Sequence, residues 1–453
     1  MSTSGGKRIS EVMDKAGRRL AVTYRKTAEL QLDPNNPRTH TPRQIKQIAR
    51  SIETFGFIVP AVVDADGNIM AGHGRIFAAL QLGLTEVPTI SVDHLSKTQI
   101  KAFQIADNRL TENSTWNERL LGEQLKFLAE SELDFSLEVT GFAMPEVDMH
   151  IEGLAGEPED DDPADALPAQ SGTIVTHSGD QWLLGQNRVC CGNALEEDSY
   201  AVPMQDEKAA MAFIDTPYNV AIEGNVSGLG TIHHQDFAMA CGEMSVAQFT
   251  AFLATVFFLL ARYSLDGAIH FICMDWRHMA EVLAAGAQVY TELKNLCLWI
   301  KNHTGMGAFY RSRHELIFVY KHGRAPHRNN ILLGKFGRDR TNVWPYPSPR
   351  TPSEEGNLLA LHPTIKPVRL VADAILDCTA RGDIVLDGFL GSGTTVIAAE
   401  RTGRRCFGLE LDPLYVDTIV RRWQAYTGEQ ARLASSGRSF DELEAEVVER
   451  DAR

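Results

Sequence analysis

The residues with the clearest chemical potential follow a short apolar run. Met211 to Ile214 reads as a buried strand, and it is followed directly by Asp215, Thr216, Pro217 and Tyr218. Because Pro217 has no N–H and disfavours a helical conformation at the residue before it, we expect the chain to leave the sheet there. A carboxylate, a free carbonyl and an aromatic ring then lie at the carboxyl end of a strand, where ligands bind in open α/β sheets. An amino group on a planar base would find two acceptors and a stacking surface, whereas the alternative is a plain turn.

A second segment has the composition of a ligand-binding loop. Ile384 to Leu386 reads as a short strand, and the glycine-rich stretch after it leads into a predicted helix that begins near Thr394. Gly388 and Gly393 have the spacing of a phosphate loop, but Thr394 stands where a triphosphate site needs lysine. A nucleotide triphosphate is therefore not the expected ligand.

An acid after the next strand indicates which ligand the glycine loop binds. Glu410 follows the apolar run Cys406 to Leu409, in the position of a ribose-binding acid in Rossmann-like sites. The combination predicts an adenosine-containing cofactor. A dinucleotide is the first rival, although the full glycine fingerprint of such sites is absent.

Alternating helices and apolar strands predict the domain that positions these residues. From residue 173 to 428 the pattern indicates an α/β fold, a Rossmann-like, doubly wound and mostly parallel sheet. We expect residues 321–360 to form an inserted basic segment and residues 429–453 to form a charged terminal helix. The acidic stretch at residues 151–170 is predicted to be a flexible linker.

Ahead of the linker, residues 20–143 predict a small α/β domain. Thr41 is a candidate cap for an amphipathic helix through Phe55, and a hairpin follows. Gly72, His73 and Arg75 then open a helix, which makes them a candidate anion or nucleotide site. A tight strand-to-helix turn is an equally good interpretation of those residues alone.

Composition narrows the class of protein. The 453 residues are 44% hydrophobic and 23% charged, with a formal net charge of −15, and no apolar stretch approaches a membrane span. Seven cysteines without paired spacing and no signal peptide predict a cytoplasmic protein. The fourteen histidines form no ligand-spaced cluster, so no metal is expected. Residues 301–350 carry ten Lys or Arg against two acids, which favours nucleic acid as a partner.

The N-terminal motifs resemble those of a known family. They are Asn36-Pro37-Arg38, Phe55-Gly56-Phe57, Ile69 to Arg75 and Ala106-Asp107-Asn108-Arg109. This stretch resembles the N-terminal domain of ParB partition proteins, in which the glycine-and-arginine segment contacts nucleotide phosphates. The related sulfiredoxins use a cysteine there, and this chain has none before Cys190. Gly74 stands where arginine is common, so the resemblance implies DNA positioning or nucleotide sensing rather than hydrolysis.

Residues 173–428 resemble the amino-methylating DNA methyltransferases of the N6-adenine/N4-cytosine family. Asp215-Thr216-Pro217-Tyr218 is similar to their Asp-Pro-Pro-Tyr motif, the segment from Asp387 to Thr395 is similar to their cofactor motif, and His362 to Val368 is similar to a segment that helps to hold the cofactor. The catalytic motif precedes the cofactor motif, as in the β group of the family. A ParB-like domain in front is a combination found in phages and prophages.

The methyltransferase resemblance implies S-adenosyl-L-methionine as cofactor and a flipped base in double-stranded DNA as substrate. It implies a catalytic role for Asp215, Thr216, Pro217 and Tyr218. It implies cofactor contacts from Asp387, Phe389, Gly391, Gly393, Thr394, Thr395, Glu410, Thr364 and Lys366. In the basic stretch we expect DNA contacts from Arg311, Arg313, Lys335, Arg338, Arg340 and Asn342.

Three alternatives stay open at this point. Adenine is favoured because the motif begins with an acid, and N4 of cytosine is the alternative. A second interpretation makes the chain a ParB-like DNA-binding regulator with an inactive methyltransferase domain. RNA or protein as substrate ranks last. The oligomeric state is open, a homodimer included.

Overall fold

A computed structural model describes residues 20–155, 162–168, 173–219, 242–304, 309–331, 334, 338–348 and 365–451. The chain divides into two compact units, residues 1–156 and 157–453. No described helix has both the length and the apolar composition needed to cross a membrane.

Residues 20–155, the described part of unit 1, combine a small sheet with five α-helices. The elements are β1 (Val22–Lys26), α1 (Pro42–Phe55), β2 (Ala61–Val63), β3 (Ile69–Ala71), α2 (His73–Gln81), β4 (Glu86–Ser91), α3 (Lys97–Glu112), α4 (Glu118–Glu130) and α5 (Met144–Glu152). The strand order is β1-β4-β2-β3. Thr41 caps α1 as predicted, because its side chain accepts a hydrogen bond from the Gln44 N–H at 3.2 Å. Gly72 caps α2 in the left-handed region at φ 96°, which glycine adopts without strain.

Unit 2 is built on one large sheet. Its elements are β5 (Gln181–Leu184), β6 (Asn187–Cys191), α6 (Glu197–Met204), β7 (Ala209–Asp215), α7 (Val246–Arg262), β8 (Ser264–Met274), α8 (Met279–Val289), β9 (Glu292–Ile300), β10 (His314–Lys321), β11 (Val343–Pro345), α9 (Val368–Cys378), β12 (Ile384–Asp387), α10 (Thr394–Thr402), β13 (Arg405–Glu410), α11 (Pro413–Thr427), β14 (Arg432–Leu433) and α12 (Phe440–Asp451).

The ten strands of this sheet in the described residues lie in the order β11-β9-β10-β8-β7-β12-β13-β6-β5-β14. The central run from β8 to β6 is parallel, while β10 and β5 pair antiparallel on its two sides; with the parallel pair of β11 and β9, five of the nine described strand pairings are parallel. Successive side chains of β7 enter cores on opposite faces: Phe213 packs with α9, α10 and α11, and Ile214 packs with α6, α7 and α8. The predicted doubly wound α/β architecture is confirmed.

The acidic stretch differs from the prediction. Of residues 151–170, the first two end α5, and residues 162–166 are packed into unit 2, of which they are a part, instead of forming a flexible linker. Asp165 accepts a hydrogen bond from the Val368 N–H at 2.7 Å, and Asp162 pairs with Arg401 at 2.5 Å. Ala164 is buried in the core of unit 2. The acidic composition predicted that these side chains would be solvated. Instead, Asp165 binds the N-terminus of α9 and Asp162 pairs with an arginine.

The predicted basic insertion also differs from the expectation, because a described part of it belongs to the large sheet. Residues 343–345 form β11, which pairs in parallel with β9 at the edge of the large sheet. Trp344 is buried and lies 6.1 Å from the Phe271 ring, measured between ring centroids. This part of the segment is therefore integral to the fold.

Candidate active site

The sheet brings the two predicted motifs together at one edge. The chain passes from β7 to β8 on one side and from β12 to β13 on the other, so the strand order reverses between β7 and β12. Ligands of open α/β sheets bind outside the carboxyl ends of the strands at such a point. One cavity there is lined by Asp215, Lys366, Asp387 and the glycine loop.

Both oxygens of the Asp215 carboxylate accept hydrogen bonds. The Tyr218 hydroxyl donates to Oδ1 at 2.8 Å, and the Lys366 ammonium donates to Oδ2 at 2.6 Å. Lys366 is only 3% exposed, and burial alone would lower the pKa of its ammonium. The adjacent carboxylates of Asp215 and Glu315 outweigh burial and raise that pKa. The ammonium is thus held charged against the carboxylate.

Glu315 on β10 is a residue that the sequence interpretation missed. Its Oε2 lies 3.0 Å from the Lys366 Nζ and 3.1 Å from the Tyr218 hydroxyl, and its Oε1 pairs with Lys301. Burial opposes ionisation of this carboxyl, but the two ammonium groups outweigh burial and hold its pKa well below the usual range. Its signal in the sequence was that it is one of the two acids in the basic stretch of residues 301–350.

The turn after β7 is fixed by short side chains. Thr216 is buried, and its hydroxyl donates to the Cys273 carbonyl of β8 at 3.2 Å. Asn219 adopts a left-handed conformation at φ 49°, and its side chain accepts from the Met244 N–H at 3.1 Å. These bonds hold the Asp215–Tyr218 turn against the neighbouring strand and the start of α7.

Asp387 holds the start of the glycine loop through two hydrogen bonds. Its two oxygens accept from the Phe389 N–H at 2.8 Å and the Thr395 hydroxyl at 2.6 Å. Burial raises the pKa of Asp387 to about 7, and these hydrogen bonds only partly offset it. Gly391 and Gly393 take positive φ angles of 51° and 83°, so a side chain at either position would strain the loop.

Glu410 and Arg422 brace the same loop from two sides. The Glu410 carboxylate accepts from the Gly391 N–H at 2.8 Å and from the Asp412 N–H at 3.0 Å. Burial raises its pKa to about 7. Arg422, which the sequence did not single out, is 2% exposed and donates to the Ser392 carbonyl at 3.0 Å and to the Ala164 carbonyl at 2.9 Å. The packed segment at residues 162–166 is thereby joined to the loop.

The glycine loop and Glu410 form a cradle whose backbone N–H and carboxylate groups suit a nucleoside. A Cβ on Gly388 would meet the Tyr200 hydroxyl at 3.0 Å, so the loop packs closely there, while Phe389, Leu390 and Gly391 line the cavity. Each Glu410 oxygen accepts one backbone hydrogen bond and keeps capacity for a ribose hydroxyl. Lys366 was predicted to contact the cofactor, but its ammonium is turned to Asp215, and its carbonyl accepts from Thr394 at 3.3 Å. Thr364 lies outside the described residues.

Two of the predicted DNA-contacting arginines, Arg338 (buried) and Arg340 (partly buried), pair with carboxylates of α9 instead. Arg338 pairs with Asp373 and Asp377 at 3.0 and 2.9 Å, and Arg340 pairs with the same carboxylates at 3.2 and 2.8 Å. Arg340 also donates to the Tyr346 hydroxyl at 2.8 Å. This cluster fastens the β11 segment to α9. The prediction of DNA contacts from these two arginines is wrong, because counts of charge along the chain carry no information on burial.

The other predicted DNA contacts have different surroundings. Arg313 is exposed, and its Nε donates to the Lys301 carbonyl at 2.7 Å; Arg311 is also exposed. Asn342 is exposed but donates to the Leu296 carbonyl at 3.1 Å beside β11. Lys335 is outside the part of the chain that is described.

An aromatic pair precedes the exposed arginines. Phe309 and Tyr310 are 87% and 82% exposed, and their rings lie 4.5 Å apart. They belong to the connection between β9 and β10, whose base carries Lys301 and Glu315 of the buried network. Aromatic side chains this exposed, ahead of arginines, are typical of surfaces that stack on bases.

The candidate anion site in unit 1 contains two buried nitrogen atoms that have no hydrogen-bond partner among the described residues. His73 is 5% exposed, and its Nε2 has no hydrogen-bond partner among the described residues, nor has the Arg75 Nε. Arg75 donates to the Pro60 carbonyl at 3.3 Å. Burial lowers the pKa of His73, although Asp33 partly offsets it. Within the described ranges, His, Cys, Asp and Glu side chains form no group that could hold a metal ion.

Three known sequence families each match one segment of the chain. Residues 209–421 match the DNA methylase family of the N6/N4 type, residues 119–178 match the ParB-methyltransferase HTH domain, and residues 12–109 match the ParB N-terminal domain. These matches confirm the resemblances drawn from the motifs.

Individual relatives each match only a part of this chain. The ParB-like nuclease domain-containing protein YnaK of Escherichia coli is 40% identical over 81 residues, which are 18% of this chain and 93% of YnaK. The orphan methyltransferase M.BamHII of Bacillus amyloliquefaciens is 35% identical over 111 residues, 24% of this chain and 42% of that protein. The type II methyltransferase M2.MboI of Moraxella bovis is 32% identical over 123 residues, 26% of this chain and 44% of that protein. The chain spans less than half the length of both methyltransferases.

Solved structures match about half of the chain at lower sequence identity. The protein TTHA0409 of Thermus thermophilus, complexed with S-adenosyl-L-methionine, is 20% identical with a TM-score of 0.36, over 56% of this chain and 96% of that one. The cytosine-N4-specific PvuII DNA methyltransferase is 14% identical with a TM-score of 0.39, over 52% of this chain and 86% of that one.

Proposed function

This chain joins a ParB-like N-terminal domain to a DNA methylase domain of the N6-adenine/N4-cytosine family, and we propose that it methylates an exocyclic amine of a base in duplex DNA. One observation carries the proposal: the Asp215 carboxylate and the glycine loop line a single cavity at the point where the strand order reverses. A site of this kind places an amine acceptor beside a nucleoside cradle.

The cofactor of the family is S-adenosyl-L-methionine. Glu410 would hold its ribose, and the loop braced by Asp387 would pack against it, because these groups form the cradle described above. When bound, the cofactor supplies a methyl group on a sulfonium, an electrophile that needs no metal.

The chain's own residues prepare the amine for that methyl group. Asp215 and the Thr216 carbonyl accept hydrogen bonds from the exocyclic N–H groups, which draws the nitrogen lone pair out of conjugation with the ring. The carboxylate also stabilises the positive charge that develops on the nitrogen during transfer. Tyr218 presents its ring to stack on the extruded base, which offsets part of the few kcal/mol that unstacking costs. The hydrogen bonds of Thr216 and Asn219 fix the turn, and the turn holds Asp215 and Tyr218 in position for the transfer.

Adenine N6 is the acceptor that we propose. The support is that the motif begins with an acid, Asp215, as expected from the sequence. N4 of cytosine presents the same kind of amine to the same acceptors, so it is the alternative, and analysis of the methylated nucleoside separates the two.

The connection between β9 and β10 is the surface that we propose faces DNA. Arg311 and Arg313 supply phosphate contacts, while Phe309 and Tyr310 stack on bases beside the gap left by the flipped nucleotide. This surface adjoins the active site because Lys301 and Glu315, at the base of the same connection, belong to the Asp215 network.

For unit 1 we propose a nucleotide or DNA-backbone phosphate as ligand. The His73 Nε2 and the Arg75 Nε, both buried beside the N-terminus of α2, support this because they lack partners among the described residues. Titration of the full-length protein with nucleoside triphosphates, wild type against Arg75→Ala, tests the site. Equal affinity of both proteins for nucleotides and for DNA would contradict it.

The proposed function is tested by incubating the protein with labelled S-adenosyl-L-methionine and unmethylated genomic duplex DNA. The DNA is then digested to nucleosides, and the labelled product is identified by mass. N6-methyladenine supports the full proposal, and N4-methylcytosine supports the mechanism with the other base. Label in RNA or protein instead of DNA would contradict it.

A further inference from the structure

The buried network around Asp215 contains one hydroxyl proton for two carboxylates. The Tyr218 oxygen lies 2.8 Å from Asp215 Oδ1 and 3.1 Å from Glu315 Oε2, and both distances suit a hydrogen bond. A tyrosine hydroxyl donates only one. The proton therefore has two possible acceptors that differ only by rotation about the C–O bond.

The other donors of the network are fully engaged. The Lys366 ammonium has three protons and three acceptors, at 2.6 Å from Asp215, 3.0 Å from Glu315 and 3.2 Å from the Tyr218 oxygen. Lys301 pairs with the remaining Glu315 oxygen. Two carboxylates and two ammonium groups balance in charge, which is the condition for burying them together.

The substrate amine would have to share its acceptor with this network. An amine that donates to Asp215 must use an oxygen that already accepts one hydrogen bond from Tyr218 or from Lys366, and an oxygen that accepts two hydrogen bonds divides its negative charge between them. Moving Lys366 would separate a buried ion pair, which is costly. Turning the Tyr218 proton toward Glu315 moves no heavy atom and breaks no ion pair, so it is the easier way to free Asp215 Oδ1.

We propose that Glu315 is a positioning residue that frees Asp215 for the substrate amine by accepting the Tyr218 hydroxyl hydrogen bond when the amine arrives. No proton is transferred between groups; the hydroxyl rotates. The same carboxylate keeps Lys366 in place on Asp215 Oδ2 in both states. The inference rests on the proposed methyl transfer and adds a residue that the motifs do not contain.

The test is a double-mutant cycle between Glu315 and Tyr218, read as the single-turnover rate of methyl transfer to unmethylated duplex DNA. Glu315→Asp keeps the charge near both lysines but withdraws the acceptor from Tyr218, and we expect a loss of about 30-fold or more. Tyr218→Phe keeps the ring and removes the competing hydroxyl, and we expect a loss below about 10-fold.

The decisive variant is the double one, Glu315→Asp with Tyr218→Phe. Without the hydroxyl there is nothing for Glu315 to accept, so the double variant should be faster than Glu315→Asp alone and close to Tyr218→Phe. Losses that multiply, or a double variant slower than either single one, would overturn the inference. Glu315→Gln in the same cycle repeats the comparison if the Asp variant is unstable.

Two further readouts separate this role from other failures. Transfer by the wild-type protein tests the proposed function itself, whereas the cycle compares only ratios among variants of an active enzyme. Affinity for S-adenosyl-L-methionine should stay within about threefold in all variants, since Glu315 contacts no residue of the glycine loop in the hydrogen bonds described. A parallel loss of cofactor affinity and rate would identify a merely structural residue and contradict the proposal.

Discussion

The ammonium nitrogen of Lys366 lies 2.6 Å from Oδ2 of Asp215, although 151 positions separate the two residues in the chain. This ion pair joins the end of β7 to the segment that enters α9. Lys366 is 3% exposed, so the pair lies in a medium where an unpaired charge is costly. The position of the proposed catalytic carboxylate therefore depends on the C-terminal half of the domain.

Lys366→Met should remove most of the methyl-transfer activity. Asp215 and Glu315 would lose their shared ammonium, and we expect the single-turnover rate to fall by about 100-fold or more. Burial would then raise the pKa of Glu315, which the ammonium groups now hold low. The residual rate of the variant should consequently rise between about pH 5 and 8, as Glu315 loses its proton. The wild-type rate should show no such rise, because its Glu315 is already ionised. Lys294→Met, on the exposed part of β9, is the matched control and should change neither rate nor profile.

The arginine cluster on α9 should affect stability and not DNA binding. Arg340→Met leaves Asp373 and Asp377 with less compensation, and breaking a buried pair in this way costs about 3–5 kcal/mol of the free energy of unfolding. Urea unfolding measures that cost. For Arg313→Met, at an exposed position, we expect unchanged stability and a slope of log affinity against log salt reduced by about 1. If the two variants exchanged these effects, the assignment of Arg340 to the fold would be wrong.

Asp387 should make stability fall as pH rises. Its pKa is about 7 in the folded protein against the usual 3.8, so the folded state binds this proton more tightly than the unfolded state. The contribution is fully present below about pH 4 and is lost as pH rises to about 7, at about 1.4 kcal/mol per pH unit. Asp387→Asn cannot titrate, so the difference in unfolding free energy between wild type and variant should decline by about 4 kcal/mol over that range. Denaturant melts across pH measure it, and a flat difference would contradict the assignment.

The exposed aromatic pair should matter for duplex DNA only. Phe309→Ala removes a ring that we expect to stack beside the flipped base, so transfer to duplex DNA should slow by about 10-fold. The same DNA supplied as single strands needs no flipping and should be methylated at nearly the wild-type rate. Phe258→Ala, at an exposed position on α7, is the control. Equal losses on both substrates would assign Phe309 a role other than base flipping.

Local sequence signals predicted much of this architecture. Thr41 caps α1, and β7 and β12 are buried strands that end at Asp215 and Asp387. These predictions rest on hydrophobic periodicity and short-range hydrogen bonds, which sequence displays directly. The meeting of the two motifs followed from the rules for open α/β sheets.

Long-range pairing was not predictable in the same way. Glu315 looked like a minor exception in a basic stretch, and Arg338 looked like a DNA contact, because neither burial nor the partner across the fold is written in a local pattern. Asp165 was assigned to a linker for the same reason, although it binds the N-terminus of α9. Residues such as these acquire their roles only when distant segments pack together.

The most direct test of the central claim is single-turnover methyl transfer to unmethylated duplex DNA by Asp215→Asn. The amide has nearly the shape of the carboxylate but cannot stabilise a positive charge on the attacking nitrogen. We predict a rate lower by about 100-fold or more, with cofactor affinity within about threefold of wild type. Transfer at the wild-type rate, or cofactor affinity lost in proportion to rate, would contradict the assignment of Asp215 as the acceptor of the substrate amine.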